Sequence, residues 1–92
     1  MLKTAVIGVG YLGRFHAQKF ASLEESELIG VVDTNPEQGK KVSEELDVPF
    51  YLNFEEIINK VDAVSIAVPT VHHYKSAKAF LANGVHVLLE TP

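Results

Sequence analysis

The opening thirteen residues limit the fold more than any other stretch. From Lys3 to Gly8 the chain runs through β-branched and apolar residues, and Gly8-Val9-Gly10-Tyr11-Leu12-Gly13 follows at once, then a helical pattern. In such a strand–turn–helix each glycine has a task. Gly8 lets the strand bend sharply, Gly10 lets the backbone approach a diphosphate, and Gly13 lets the helix pack close to the strand. The start of the helix offers unpaired N–H groups and about half a positive charge, so an anion is favoured over the turn. Glycines at this spacing also arise by chance. The pattern carries weight only if an acid closes the next strand, and Asp33 does so.

The rest of the chain alternates in the same style. Tyr11 to Leu23 reads as a helix, with Leu12, Phe15, Phe20 and Leu23 as its apolar surface and Arg14, Gln18 and Lys19 as its polar surface. Leu28 to Val32 is the second strand. Asn35-Pro36-Glu37-Gln38 is a helix start: Asn35 caps, Pro36 takes the first helical position, and Gln38 is placed to complete a capping box. That helix should reach about Leu46, with Val42 and Leu46 facing inward. Val48 to Leu52 is a short strand, which Pro49 assigns to a sheet edge. Asn53-Phe54-Glu55-Glu56 repeats the capping logic and predicts a further helix through Ile57 and Ile58. Ala63 to Val68 is a buried strand stopped by Pro69. Val71 to Leu81 is helical, Asn83-Gly84 stops it, and Val85 to Leu89 is the last strand.

Strands and helices in strict alternation, with no repeat or linker, predict one α/β domain: a Rossmann-type doubly wound parallel sheet in three α/β/α layers. The expected strand order is 3-2-1-4-5. The ligand crevice then falls at the carboxyl ends of strands one and four, where the order reverses.

Composition removes other classes. A net charge of −4 speaks against a nucleic-acid partner held through its phosphates. The absence of cysteine excludes disulfides and thiolate metal sites. No apolar run approaches the ~20 residues of a membrane span. No signal peptide is evident at the start, so no membrane partner and a cytoplasmic location are expected.

Asp33 lies twenty positions after Gly13. A dinucleotide fold places there the acid that accepts from the adenosine ribose hydroxyls, although an Asp-Thr-Asn-Pro turn also explains it locally. A carboxylate repels a 2′-phosphate, and neither Thr34 nor Asn35 supplies a cation for one, so the expected cofactor is NAD rather than NADP. Val68-Pro69-Thr70 ends the fourth strand on the crevice side, where it borders the nicotinamide ribose or simply caps the next helix. His72 and His73 point about 100° apart on a helix, so they do not chelate one metal from one face, and no metal site is expected. His16 and His86 read as structural, whereas His73 sits near the crevice.

Ala-Val-Ile-Gly-Val-Gly-Tyr-Leu-Gly-Arg-Phe-His-Ala, Val-Val-Asp-Thr-Asn-Pro-Glu, Val-Pro-Thr-Val-His-His-Tyr and Gly-Val-His-Val-Leu-Leu-Glu-Thr-Pro together resemble the Gfo/Idh/MocA oxidoreductases, the glucose–fructose oxidoreductase and inositol dehydrogenase family. The resemblance covers the whole chain, and its glycine segment looks closest to members acting on nucleotide-linked amino sugars. It implies that Gly8, Val9, Gly10, Tyr11, Leu12 and Gly13 hold the pyrophosphate and that Asp33, with Thr34 beside it, holds the adenosine ribose. The family's Thr-Pro-Asn-x-x-His falls on Val68 to His73. Pro69, Thr70 and His73 then line the nicotinamide side, with Val68 before them. Glu90 takes the acid of the family's Glu-Lys-Pro, near the nicotinamide ribose. Thr91 departs from that pattern, because it cannot supply the lysine's charge.

Family members continue into a second α/β domain with the substrate site and the acid–base residues. Residues 1–92 are therefore expected to be the cofactor half of an NAD-dependent dehydrogenase for a sugar, polyol or nucleotide-sugar hydroxyl, inactive alone. Apolar surface left near the last strand suggests a homo-oligomer. Two rivals are a nucleotide- or NAD-sensing module without chemistry and a methyltransferase binding S-adenosylmethionine. The closing Glu-x-Pro argues against the methyltransferase.

Overall fold

The computed structural model describes residues 1–67 and 70–89, with the backbone alone at 11, 12, 70–74 and 89. Strand β1 (Leu2–Ile7) enters helix α1 (Tyr11–Ser22), followed by β2 (Ser26–Val32), α2 (Pro36–Leu46) and β3 (Phe50–Tyr51). After a short turn come β4 (Ala63–Ile66), α3 (Thr70–Ala82) and β5 (His86–Leu89). All pairings are parallel and the sheet order is β3-β2-β1-β4-β5, as the alternation predicts.

Alternation of side chains along β1 divides the interior in two. Val6 joins Val9, Ala17, Leu28, Val31 and Val42 beneath α1 and α2. Ala5 and Ile7 join Val64, Ile66, Ala77 and Phe80 on the opposite face, beneath α3. Phe80 is fully buried, so truncating it to Ala removes about 3–5 kcal/mol of stability. The two residues of β3 are held by close approaches: a β-carbon on Gly39 would strike the Phe50 ring, and one on Gly30 would crowd the Tyr51 ring.

The chain between β3 and β4 differs from the sequence expectation. Instead of a helix there is one 3-10 turn, Phe54–Glu56. Successive bonds from Glu56 N to Asn53 O, Ile57 N to Phe54 O and Lys60 N to Ile57 O span three residues each. This tight winding brings Ile57 and Val61 into the α3-side core, a placement the capping signal at Asn53 does not reveal. Phe15 on α1 and Leu23 at its C-terminal end are about half exposed rather than packed, while Ala17 is buried. The other boundaries move by one or two residues, the usual fraying of element ends. No helix among the described residues is long and apolar enough to cross a membrane.

Candidate functional site

The carboxyl ends of β1, β2 and β4 border a cleft of about 580 Å³. It lies where the strand order reverses, and Gly8, Gly10, Asp33, Thr34 and Ala67 all line it.

The glycine turn has the geometry its sequence implies. Gly8 adopts φ 87°, a conformation that L side chains rarely take, and its N–H donates to Val32 O at 2.7 Å. A β-carbon on Gly13 would overlap the carbonyl of Gly8, so only glycine lets α1 start this close to the strand. Gly10 is the N-cap of α1 and offers no side-chain cap; the first turn closes by Arg14 N donating to Gly10 O at 2.8 Å. Apart from its chain neighbours, a β-carbon on Gly10 would meet no atom within 4 Å among the described residues. A helix N-terminus without a side-chain cap favours an anion.

Asp33, half-buried, ties this turn to β2. Its Oδ2 accepts from Val9 N at 2.9 Å, and its Oδ1 accepts from Asn35 N at 2.8 Å. A carboxylate has about four lone-pair directions, so two backbone donors still leave room for ribose hydroxyls. Asn35 caps α2 as predicted, its Oδ1 accepting from Glu37 N and Gln38 N. The capping box does not form. Asp33 already occupies the Asn35 N–H, and the Gln38 side chain turns away to donate from Nε2 to Val9 O at 2.8 Å.

His16 is outside the cleft lining, with Nδ1 at 2.7 Å from the Oγ of fully buried Ser65; the pair joins α1 to β4. His86 is exposed on β5. Val68, Pro69, Glu90 and Thr91 lie outside the described residues, as do the side chains of Tyr11, Leu12, Thr70, His72 and His73. Among the described residues, no three His, Asp or Glu side chains gather as a metal centre would require.

Sequence reasoning missed part of the lining. Leu52, Asn53, Phe54 and Glu55 reach the cleft from the end of β3, and Lys75 and Ser76 reach it from α3. A usable signal existed for the first group, because residues just past a parallel strand fall on the crevice side. Lys75 carried none.

The Gfo/Idh/MocA family model, an oxidoreductase family with an NAD-binding Rossmann fold, matches residues 2–92. The chain belongs to this family. As its NAD-binding domain, the chain is 45% identical over 91 residues to UDP-N-acetylglucosamine 3-dehydrogenase of Acidithiobacillus ferrooxidans, covering 99% of the chain and 28% of that protein. A solved structure of that enzyme matches with a TM-score of 0.91 at 45% identity, over 99% of this domain and 30% of that chain. Scyllo-inositol dehydrogenase of Lactobacillus casei, solved with bound NAD(H) and scyllo-inositol, matches with a TM-score of 0.88 at 26% identity, over 97% and 27% respectively. The Gfo/Idh/MocA domain described here thus spans less than a third of these relatives.

Proposed function

We propose that residues 1–92 are the cofactor-binding part of an NAD-dependent dehydrogenase whose substrate-binding part lies outside them. The whole enzyme would move hydride between nicotinamide and a hydroxyl of a sugar, polyol or nucleotide-linked sugar. The observation that carries this reading is the Asp33 carboxylate, bonded to Val9 of the glycine turn and lining the same cleft as Gly8 and Gly10.

Bound NAD supplies the hydride acceptor. The chain's own residues bind and orient it. Gly8, Val9, Gly10, Tyr11, Leu12 and Gly13 form the turn that takes the pyrophosphate, with the Gly8 and Val9 N–H groups holding the turn to β2 rather than the ligand, and Asp33, with Thr34 beside it, takes the adenosine ribose. By family pattern alone, Val68, Pro69, Thr70, His73 and Glu90 are assigned to the nicotinamide side. The base that accepts the substrate proton belongs to the part outside these residues.

Likeness to UDP-N-acetylglucosamine 3-dehydrogenase supports a nucleotide-linked amino sugar as the narrower substrate class. Exposed Leu81 and Leu88 support a homo-oligomer. Thr91, where the family has lysine, favours a second reading: an NAD-sensing module without chemistry. Titration with NADH and S-adenosylmethionine tests cofactor binding, and NADH should bind alone. Lack of NADH binding at ~1 mM, the upper end of usual cofactor and substrate ranges, contradicts the reading. Oxidation of UDP-N-acetylglucosamine by the longer protein separates dehydrogenase from sensor.

A further inference from the structure

We infer that Gln38 is a positioning residue: its side-chain amide sets the direction in which the glycine turn points the N–H of Gly10. The inference rests on reading the cleft as the NAD site. Both hydrogen-bonding groups of Val9 are engaged by the segment that follows β2. Its N–H donates to Asp33 Oδ2, and its carbonyl accepts from Gln38 Nε2 at 2.8 Å. The Val9 side chain is fully buried, so the residue is held at three points.

The two contacts control different peptide planes. Asp33 fixes the plane between Gly8 and Val9. Gln38 fixes the plane between Val9 and Gly10, which carries the Val9 carbonyl and the Gly10 N–H on opposite sides. Anchoring the carbonyl therefore aims the Gly10 N–H away from Gln38. Without the anchor this plane turns at little cost, because rotating it changes ψ of Val9 and φ of Gly10, and glycine accepts φ of either sign. Apart from its chain neighbours, a β-carbon on Gly10 would meet nothing within 4 Å among the described residues, so the space beside its Cα is open.

Gln38 is itself well placed for this task. It lies in the first turn of α2, where its own N–H donates to the Asn35 cap. Its amide is neutral and grips the loop without adding a charge beside an anionic ligand.

The test uses Gln38→Met, which keeps length and helix propensity but removes the donor, with Gln38→Ala as a second variant. Two readouts are taken on the 92-residue chain: NADH affinity, and site-resolved amide exchange without ligand. Loss of one preorganising hydrogen bond should weaken NADH about fivefold in both variants. Exchange at Val9 should accelerate several times more than at Ala5 or Val64 in the sheet. NADH affinity of Gln38→Met within about 1.5-fold of the parent overturns the inference, as does exchange that rises equally at Val9 and across the sheet. If the parent chain does not bind NADH, the cofactor reading fails, and the exchange data alone then decide whether Gln38 holds the turn.

Discussion

The N–H of Val9 meets the Asp33 carboxylate at 2.9 Å, joining the glycine turn of β1–α1 to the end of β2. One acid therefore shapes the glycine turn and lines the cleft beside it, so the proposed pyrophosphate and ribose positions are set by linked elements.

Asp33→Ala should act on both stability and binding. Two charge-assisted hydrogen bonds to backbone N–H groups are lost; such bonds contribute about 1.5–3 kcal/mol each when buried, and less at this partly exposed site, where water takes their place. Urea unfolding should show a loss of about 1–3 kcal/mol. NADH affinity should fall by more than NADPH affinity, because the change also removes repulsion of the 2′-phosphate. Equal losses for the two cofactors contradict the ribose assignment.

Two glycines of the turn should separate folding from binding. Gly13→Ala forces its β-carbon onto the Gly8 carbonyl and should destabilise the domain by about 1–3 kcal/mol. Gly10→Val points into open cleft, so circular dichroism and melting should stay close to the parent while dinucleotide binding is lost. An unchanged NADH affinity in Gly10→Val makes the turn structural only.

Much of this architecture was legible in the sequence because its signals are local. The strand–glycine–helix opening, the Asn35 cap with Pro36, and the stop at Asn83-Gly84 are each written in a few adjacent residues. Buried strands of a parallel sheet read as apolar runs, and the switch in order follows from the crossovers. What was hidden depends on competition in space. Gln38 forgoes its capping box because Asp33 reaches the Asn35 N–H first and Val9 O lies within reach. The turn at Phe54–Glu56 stays short because Ile57 must enter the core beneath α3. Lys75 reaches the cleft from a distant helix, which no short-range pattern records.

Lys75 is the one basic side chain lining the cleft among the described residues, against the acids Asp33 and Glu55. Lys75→Glu is expected to weaken NADH about three- to tenfold at low salt, with the deficit shrinking as ionic strength rises and screening sets in. A deficit independent of salt points to packing rather than charge.

Arg14 and Gln18 on α1 both donate to Glu45 on α2, with the Arg14 Nε–Oε1 distance at 2.8 Å. The hydrogen bond from Arg14, then that from Gln18, holds the Glu45 carboxyl below its usual 4.5. A depressed folded value means that the contribution is present above the unfolded value and is lost as pH falls through the folded one. Glu45→Gln should therefore be slightly less stable than the parent near pH 7 and converge with it in acid, once the carboxyl is protonated in the folded chain. The pair is solvent-screened, so the difference at neutral pH should be small and should shrink further in salt. A difference that persists in acid assigns the effect to packing.

The most direct measurement is a parallel titration of the 92-residue chain with NADH and NADPH, followed by fluorescence or calorimetry. With Asp33 at the ribose position, NADH is expected to bind at least about tenfold more tightly, a gap of about 1.4 kcal/mol. Equal dissociation constants, or tighter binding of NADPH, contradict the assignment of this cleft to NAD.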